Sequence, residues 1–182
     1  MEPEKNQGPE KRPGVLDRNL KIVFAVTLMA VMGVSSISPV LPQVVRDLKV
    51  PTRSIGLLIT FFTLPGVFLT PFLGVLADRL GRKKIMVPSL LLFGLAGGAC
   101  AFVRDFDLLL ALRFFQGAGA ASLGSLNITL IGDLYSDKKR NTAMGYNASV
   151  LSVGTAAYPA IGGALGMLGW FYPFALPFLG VG

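Results

Sequence analysis

Long runs of apolar residues, broken only by short charged separators, dominate the chain. The runs lie at about 20–45, 55–77, 85–103, 107–132 and 142–168, with a further one from 170 to 182. The separators RDLKVPTR, DRLGRKK, RDFD and SDKKRN hold most of the charge outside the N-terminal tail, and the last two runs are divided only by a turn near Gly169 and Trp170. A helix needs about 20 mostly apolar residues to cross a bilayer. The runs are continuous and show none of the two-residue alternation of a membrane barrel strand. The pattern therefore predicts membrane-spanning helices, antiparallel and adjacent because their connectors are short. Residues 1–19 are polar, carry Pro3, Pro9 and Pro13, and predict a flexible cytoplasmic tail. The run over 20–45 is too long for the apolar core of a signal peptide and reads as a first span. The fold class expected is an all-α polytopic membrane protein: a six-helix bundle over 20–182 whose last helix is incomplete.

Composition agrees with lipid as the solvent. The 182 residues are 52% hydrophobic and only 15% charged, against roughly 25% charged in a soluble domain. Mean hydropathy is +0.61. A net charge of +7 could signal nucleic-acid binding. Here, however, the basic residues sit in connectors rather than on one face of a soluble domain, so no nucleic-acid partner is expected. Their placement instead reports orientation. Lys5, Lys11, Arg12, Arg18, Lys21, Arg79, Arg82, Lys83, Lys84, Lys138, Lys139 and Arg140 fall on one side, and Arg46, Lys49, Arg53 and Arg104 on the other. That asymmetry places the N-terminus in the cytoplasm of a multi-pass cell-membrane protein. Trp170 and Tyr172 suit an interfacial belt at the outer end.

The chain has no histidine and one cysteine, Cys100. Zinc sites, Ser-His-Asp triads and Cys-His pairs are thereby removed, no GxxxxGK[ST] loop occurs, and neither an enzyme nor a metal cofactor is expected. Glycines at 94, 97, 98, 117, 119, 162, 163 and 166 would let helix backbones approach closely, as ordinary bundle packing requires.

Three segments carry more than packing. In GVLADRLGRKK, positive-inside orientation explains Arg82, Lys83 and Lys84 but neither Asp78 nor the spaced Gly74 and Gly81. This segment resembles motif A of the major facilitator superfamily, G-x-L-a-D-r-x-G-r-k, with Arg79 at its first basic position. Within the fourth run, Arg113, Gln116 and Gly117 resemble that family's motif B, R-x-x-Q-G; snorkelling to the nearby outer interface is the alternative reading of Arg113. In the fifth, Gly145, Gly154, Pro159, Gly162 and Gly163 follow the spacing of the antiporter motif C, G-x8-G-x3-G-P-x2-G-G, with Tyr158 where the family has glycine.

The resemblance implies one half of a twelve- or fourteen-helix secondary transporter in which substrate binds between two six-helix halves. It implies that Asp78 caps a helix of the other half, that Arg82 pairs with an acid at the end of the fourth span (Asp133 being the natural partner), and that Arg113 serves proton transfer. Motif C tilts the expectation to efflux of drugs or small metabolites against a proton gradient, by alternating access. An uptake permease, or a half-size module that dimerises or acts as a non-transporting partner, is the alternative. No Asp or Glu lies deep in any run, so a proton carrier would come from the other half, or coupling would use Asp78, Asp133 or Arg113 indirectly. The partners implied are a small-molecule substrate, the lipid bilayer, and a missing C-terminal half or a second copy. Pro39 and Pro42 suggest a bend in the first span. Asn127 and Asn147, although in N-x-[ST] sequons, read as polar wall residues because they lie within spans.

Overall fold

The computed structural model describes residues 18–179. The tail expected over the first residues falls mostly outside them. Seven α-helices form a single bundle: α1 (Arg18–Ser35), α2 (Leu41–Asp47), α3 (Ile55–Leu80), α4 (Arg82–Cys100), α5 (Phe106–Leu134), α6 (Asp137–Gly166) and α7 (Tyr172–Leu179). Among the described residues, four stretches are long and apolar enough to cross a membrane: Arg18–Asp47, Thr52–Leu80, Arg82–Cys100 and Lys139–Gly166. The 29-residue α5 is long enough, about 43 Å at the usual rise. Arg113, Gln116 and Asn127 lower its apolar character, and the bundle around it shelters them. The molecule is a polytopic all-α membrane bundle.

The first apolar run is not one helix. α1 stops at Ser35, and a short 3-10 turn at Ser38–Val40 leads into α2. Pro39 and Pro42 occupy the first turns of these two elements, where a missing amide costs little. Two of the charged separators are shorter than the sequence suggests. Asp78, Arg79 and Leu80 finish α3, and Arg82 already begins α4, so Gly81 alone joins them. Its φ of +96° lies where a side chain would be strained, and that one residue turns the chain back on itself. Tyr135 and Ser136 are all that separate α5 from α6. Asp105 caps α5, its Oδ1 accepting from the Leu108 amide at 2.9 Å.

α5 is the central helix. It packs most extensively against α3 and α4 and also against α1, while α6 lies along α1 and α7 against α4. The core falls into three groups along the bundle. Leu20, Val23, Ile131 and Ala143 pack at the end holding the α5–α6 connection. Val26, Met29, Met32, Phe62, Phe93 and Leu123 fill the middle. Ile37, Val40, Val44, Leu109, Trp170 and Phe174 belong to the opposite end. Outward positions are themselves apolar: Val67, Phe68 and Phe72 on α3 are 71%, 63% and 72% exposed, a surface that lipid tolerates and water does not.

Candidate functional site

Two groups of polar residues stand out, one at the α3–α4 turn and one at mid-bundle. At the turn, Arg82 reaches across to the last turn of α5. Its Nε donates to Asp133 Oδ2 at 2.7 Å, and its Nη2 lies 3.5 Å from Asp78 Oδ1, one turn back across Gly81. The arginine side chain is only 19% exposed, whereas Asp78 and Asp133 are 68% and 54% exposed. One arginine therefore ties the ends of three helices, with its charge sheltered and both acids open to solvent. The structure brings together Asp78, Arg82 and Asp133. Arg79 and Lys83 point to the surface, and a methyl group at Gly74 would meet nothing within 4 Å.

At mid-bundle, Arg113 is completely buried. Its Nη1 donates to the Gly33 carbonyl of α1 at 2.9 Å and to Gln116 Oε1 at 2.8 Å. The guanidinium carbon lies 5.4 Å from the Phe62 ring centroid and 4.7 Å from that of Phe174, within cation–π range. Snorkelling is thereby overturned: the side chain turns into the bundle, because α1, α3 and α7 converge on it with acceptors and ring faces. Gln116 is held in turn by bare backbone, since a Cβ at Gly97 would come within 2.6 Å of its Nε2. Gly117 is required more strictly still. A Cβ there would sit 1.9 Å from the Phe62 carbonyl oxygen, so α3 and α5 touch backbone to backbone.

The five motif C positions on α6 divide sharply. At Gly162 a Cβ would lie 1.7 Å from the Ser36 carbonyl oxygen, where α1 ends. At Gly154 it would come within 3.0 Å of Leu28. Around Gly145 there is open space, and at Gly163 only Pro39 comes near, at 3.9 Å. Pro159 lies inside the helix, half-buried. Beside it, Tyr158 packs on the middle core group.

Two arrangements were not assembled by sequence reasoning. The Thr27 hydroxyl donates to Asn147 Oδ1 at 2.5 Å and accepts from Asn127 Nδ2, which also donates to the Val23 carbonyl at 3.1 Å. This chain links α1, α5 and α6. The two asparagines stand out among apolar residues, but nothing local pairs them with a threonine 100 or more positions away. Arg104, in the α4–α5 connection, stacks over Trp170 and Phe171 at 5.0 and 4.7 Å. Among the described residues no group of three or more acidic, cysteine or histidine side chains is disposed to hold a metal.

Comparison with known proteins bears on this architecture. The chain is 33% identical over 164 residues to the bacillibactin exporter of Bacillus subtilis, covering 86% of this chain and 41% of that protein. It is 27% identical over 159 residues to the quinolone resistance protein NorA of Staphylococcus aureus, covering 87% and 41%. In fold it resembles the crystal structure of the human organic anion transporter MFSD10 (TETRAN), with a TM-score of 0.72 at 21% identity over 91% of this chain and 47% of the other. The chain thus spans about two-fifths of the length of the curated relatives it matches. The Major Facilitator Superfamily profile matches residues 23–181, nearly the whole of the bundle. On that match and on the helical arrangement that underlies it, the chain belongs to the Major Facilitator Superfamily of transport proteins.

Proposed function

We propose that the chain forms one half of a proton-coupled exporter of drugs or small metabolites that works by alternating access, with its N-terminus and the α3–α4 turn in the cytoplasm. The observation that carries the reading is the Arg82–Asp133 pair, which ties α4 to α5 at the positions where the family places a gate. Gly81 confines the turn to one residue, so Arg82 is held close to the α5 terminus. Asp78, 3.5 Å from Arg82, is still largely exposed, which leaves its carboxylate able to meet the positive end of a helix outside this bundle as well. An ion pair of this kind, weak in isolation, suits a latch: it can hold one state and still break within a transport cycle. The similarity to two bacterial proteins named for export and drug resistance supports the direction. At mid-bundle, Arg113 and Gln116 serve as the coupling element, and the close α6–α1 contact at Gly162 holds the motif C helix in register.

The test is flux of lipophilic cations and organic anions through proteoliposomes holding the protein expressed from its complete reading frame. An imposed proton gradient should drive flux, and a protonophore should abolish it. Asp78→Asn should slow the flux and shift the balance between inward- and outward-open forms. Equal flux with and without the gradient would remove proton coupling. An Asp78→Asn protein indistinguishable from wild type in rate and conformational balance would remove the latch.

A further inference from the structure

Tyr158 departs from the motif C spacing, and its surroundings give the departure a use. Where that pattern has glycine, α6 carries a phenol ring. The ring packs on the middle core group and lies back over Gly154, its Cε2 3.4 Å from where a Cβ would stand there. Gly154 is buried and bare, so it seats the ring, and Leu28 closes the same spot at 3.0 Å. Little freedom is left to the side chain.

Its hydroxyl, by contrast, is not used inside the bundle. Tyr158 is half-buried, and Oη has no hydrogen-bond partner among the described residues. The polar side-chain atoms buried without a partner are those of Arg82, Arg113 and Asn127, so Oη lies at the open surface of α6. Tyr158 stands eight residues before the end of α6 at Gly166, about 12 Å along the axis, in a hydrocarbon layer of about 30 Å. Leaning on Gly154 turns the ring away from that nearer end, so the hydroxyl cannot snorkel to it. An unbonded hydroxyl facing hydrocarbon is costly, and a tyrosine hydroxyl out of water ordinarily finds a partner. Thr155, Ser152 and Ser149 precede it at three-residue steps, and all are exposed. Each satisfies its hydroxyl on a carbonyl of its own helix. Tyr158, whose hydroxyl stands a ring's length from the backbone, has no such outlet. This side of α6 is therefore built for water or a polar partner, unlike the Val67, Phe68 and Phe72 face of α3.

We infer that the Tyr158 hydroxyl, on a ring fixed by Gly154 and the middle core group, hydrogen-bonds to transported solutes that carry an acceptor oxygen, from the wall of a water-filled path beside α6. The inference rests on the transporter reading for the existence of a path, and it names the solute chemistry that this wall selects.

Two measurements on the full-length protein in proteoliposomes test it. With every other cysteine replaced by serine, Tyr158→Cys should react with a water-soluble, membrane-impermeant methanethiosulfonate, and Val67→Cys on α3 should not. Tyr158→Phe keeps the ring and removes only the hydroxyl. It should raise KM for rhodamine 6G, which carries an ester carbonyl, about two- to tenfold, with kcat near wild type. For tetraphenylphosphonium, which has no hydrogen-bonding group, KM should stay unchanged. Tyr158→Gly, which removes the ring as well, should raise both KM values. A ring that only packs would instead leave Tyr158→Phe equal to wild type on both probes. That result, or a Tyr158→Cys protein that stays unlabelled, overturns the inference. Proton-driven flux that persists in either case leaves the export reading standing without it.

Discussion

Replacing Gly162 with alanine adds one methyl group where two helix backbones touch. The new Cβ would stand 1.7 Å from the Ser36 carbonyl oxygen. Real Cβ contacts essentially never fall below 3.0 Å, so α6 and the end of α1 must separate by at least 1.3 Å, the difference between those distances. Neither partner yields easily. The obstacle is a backbone carbonyl, and Ser36 is buried and tied to Met32 by both its amide and its hydroxyl. A gap of about 1 Å forfeits a quarter to a half of each affected dispersion contact. Because α6 lies along α1, many such contacts suffer together. Overpacking of a well-packed site costs typically about 1–3 kcal/mol, and here the upper end applies. At about 2–4 °C per kcal/mol for a chain of this size, melting in detergent should fall by roughly 6–12 °C. Gly145→Ala is the matched control, since its Cβ meets nothing within 4 Å and alanine is the better helix former. It should melt at or slightly above wild type. A Gly162→Ala protein melting within about 1 °C of wild type, or the same loss at both positions, would refute the close-approach argument.

Further outcomes follow from the polar contacts. Reversing the pair as Arg82→Asp with Asp133→Arg should recover much of the conformational balance lost by Asp133→Asn alone, read by distance measurements between spin labels at the α3–α4 turn and the α5 terminus; no recovery would show that charge pairing is not what joins these ends. Stability should change by no more than about 1 kcal/mol in either variant, because both acids are largely exposed. Thr27→Val should cost about 1–3 kcal/mol in thermal or denaturant unfolding, since it strips a partner from both asparagines. Asn127→Leu should cost less, because Asn127 Oδ1 is already buried without a partner; the reverse order would sink that account.

Much of the architecture follows directly from composition and run length. Continuous apolar runs with charged breaks specify helices in lipid, because only a helix or a closed barrel satisfies backbone groups there. The resemblance to motif A, more than spacing, singled out Gly81, Arg82 and Asp133 for a common end of the bundle. Other decisions needed the three-dimensional packing. Periodicity cannot tell that the first run breaks after Ser35, since Pro39 and Pro42 are compatible with either a bend or two separate elements. Charge patterning read DRLGRKK as a loop, but helical propensity carries both flanks into α3 and α4 and leaves Gly81 as the whole connection.

The glycines make the same distinction more sharply. In the sequence, Gly145, Gly154, Gly162 and Gly163 are equivalent members of one spacing pattern. In the bundle, Gly162 lies against a carbonyl oxygen while Gly145 faces open space. Likewise, Arg113 is only a charge in an apolar run until α1, α3 and α7 bring Gly33, Phe62 and Phe174 around it. The sequence by itself determined that the chain is a helical membrane bundle, where its charged turns fall, and which residues are out of place in lipid. The tertiary structure alone decided which of those residues meet. Run length and charge act locally along the chain, whereas a backbone contact or a buried guanidinium's partners come from helices that are distant in sequence.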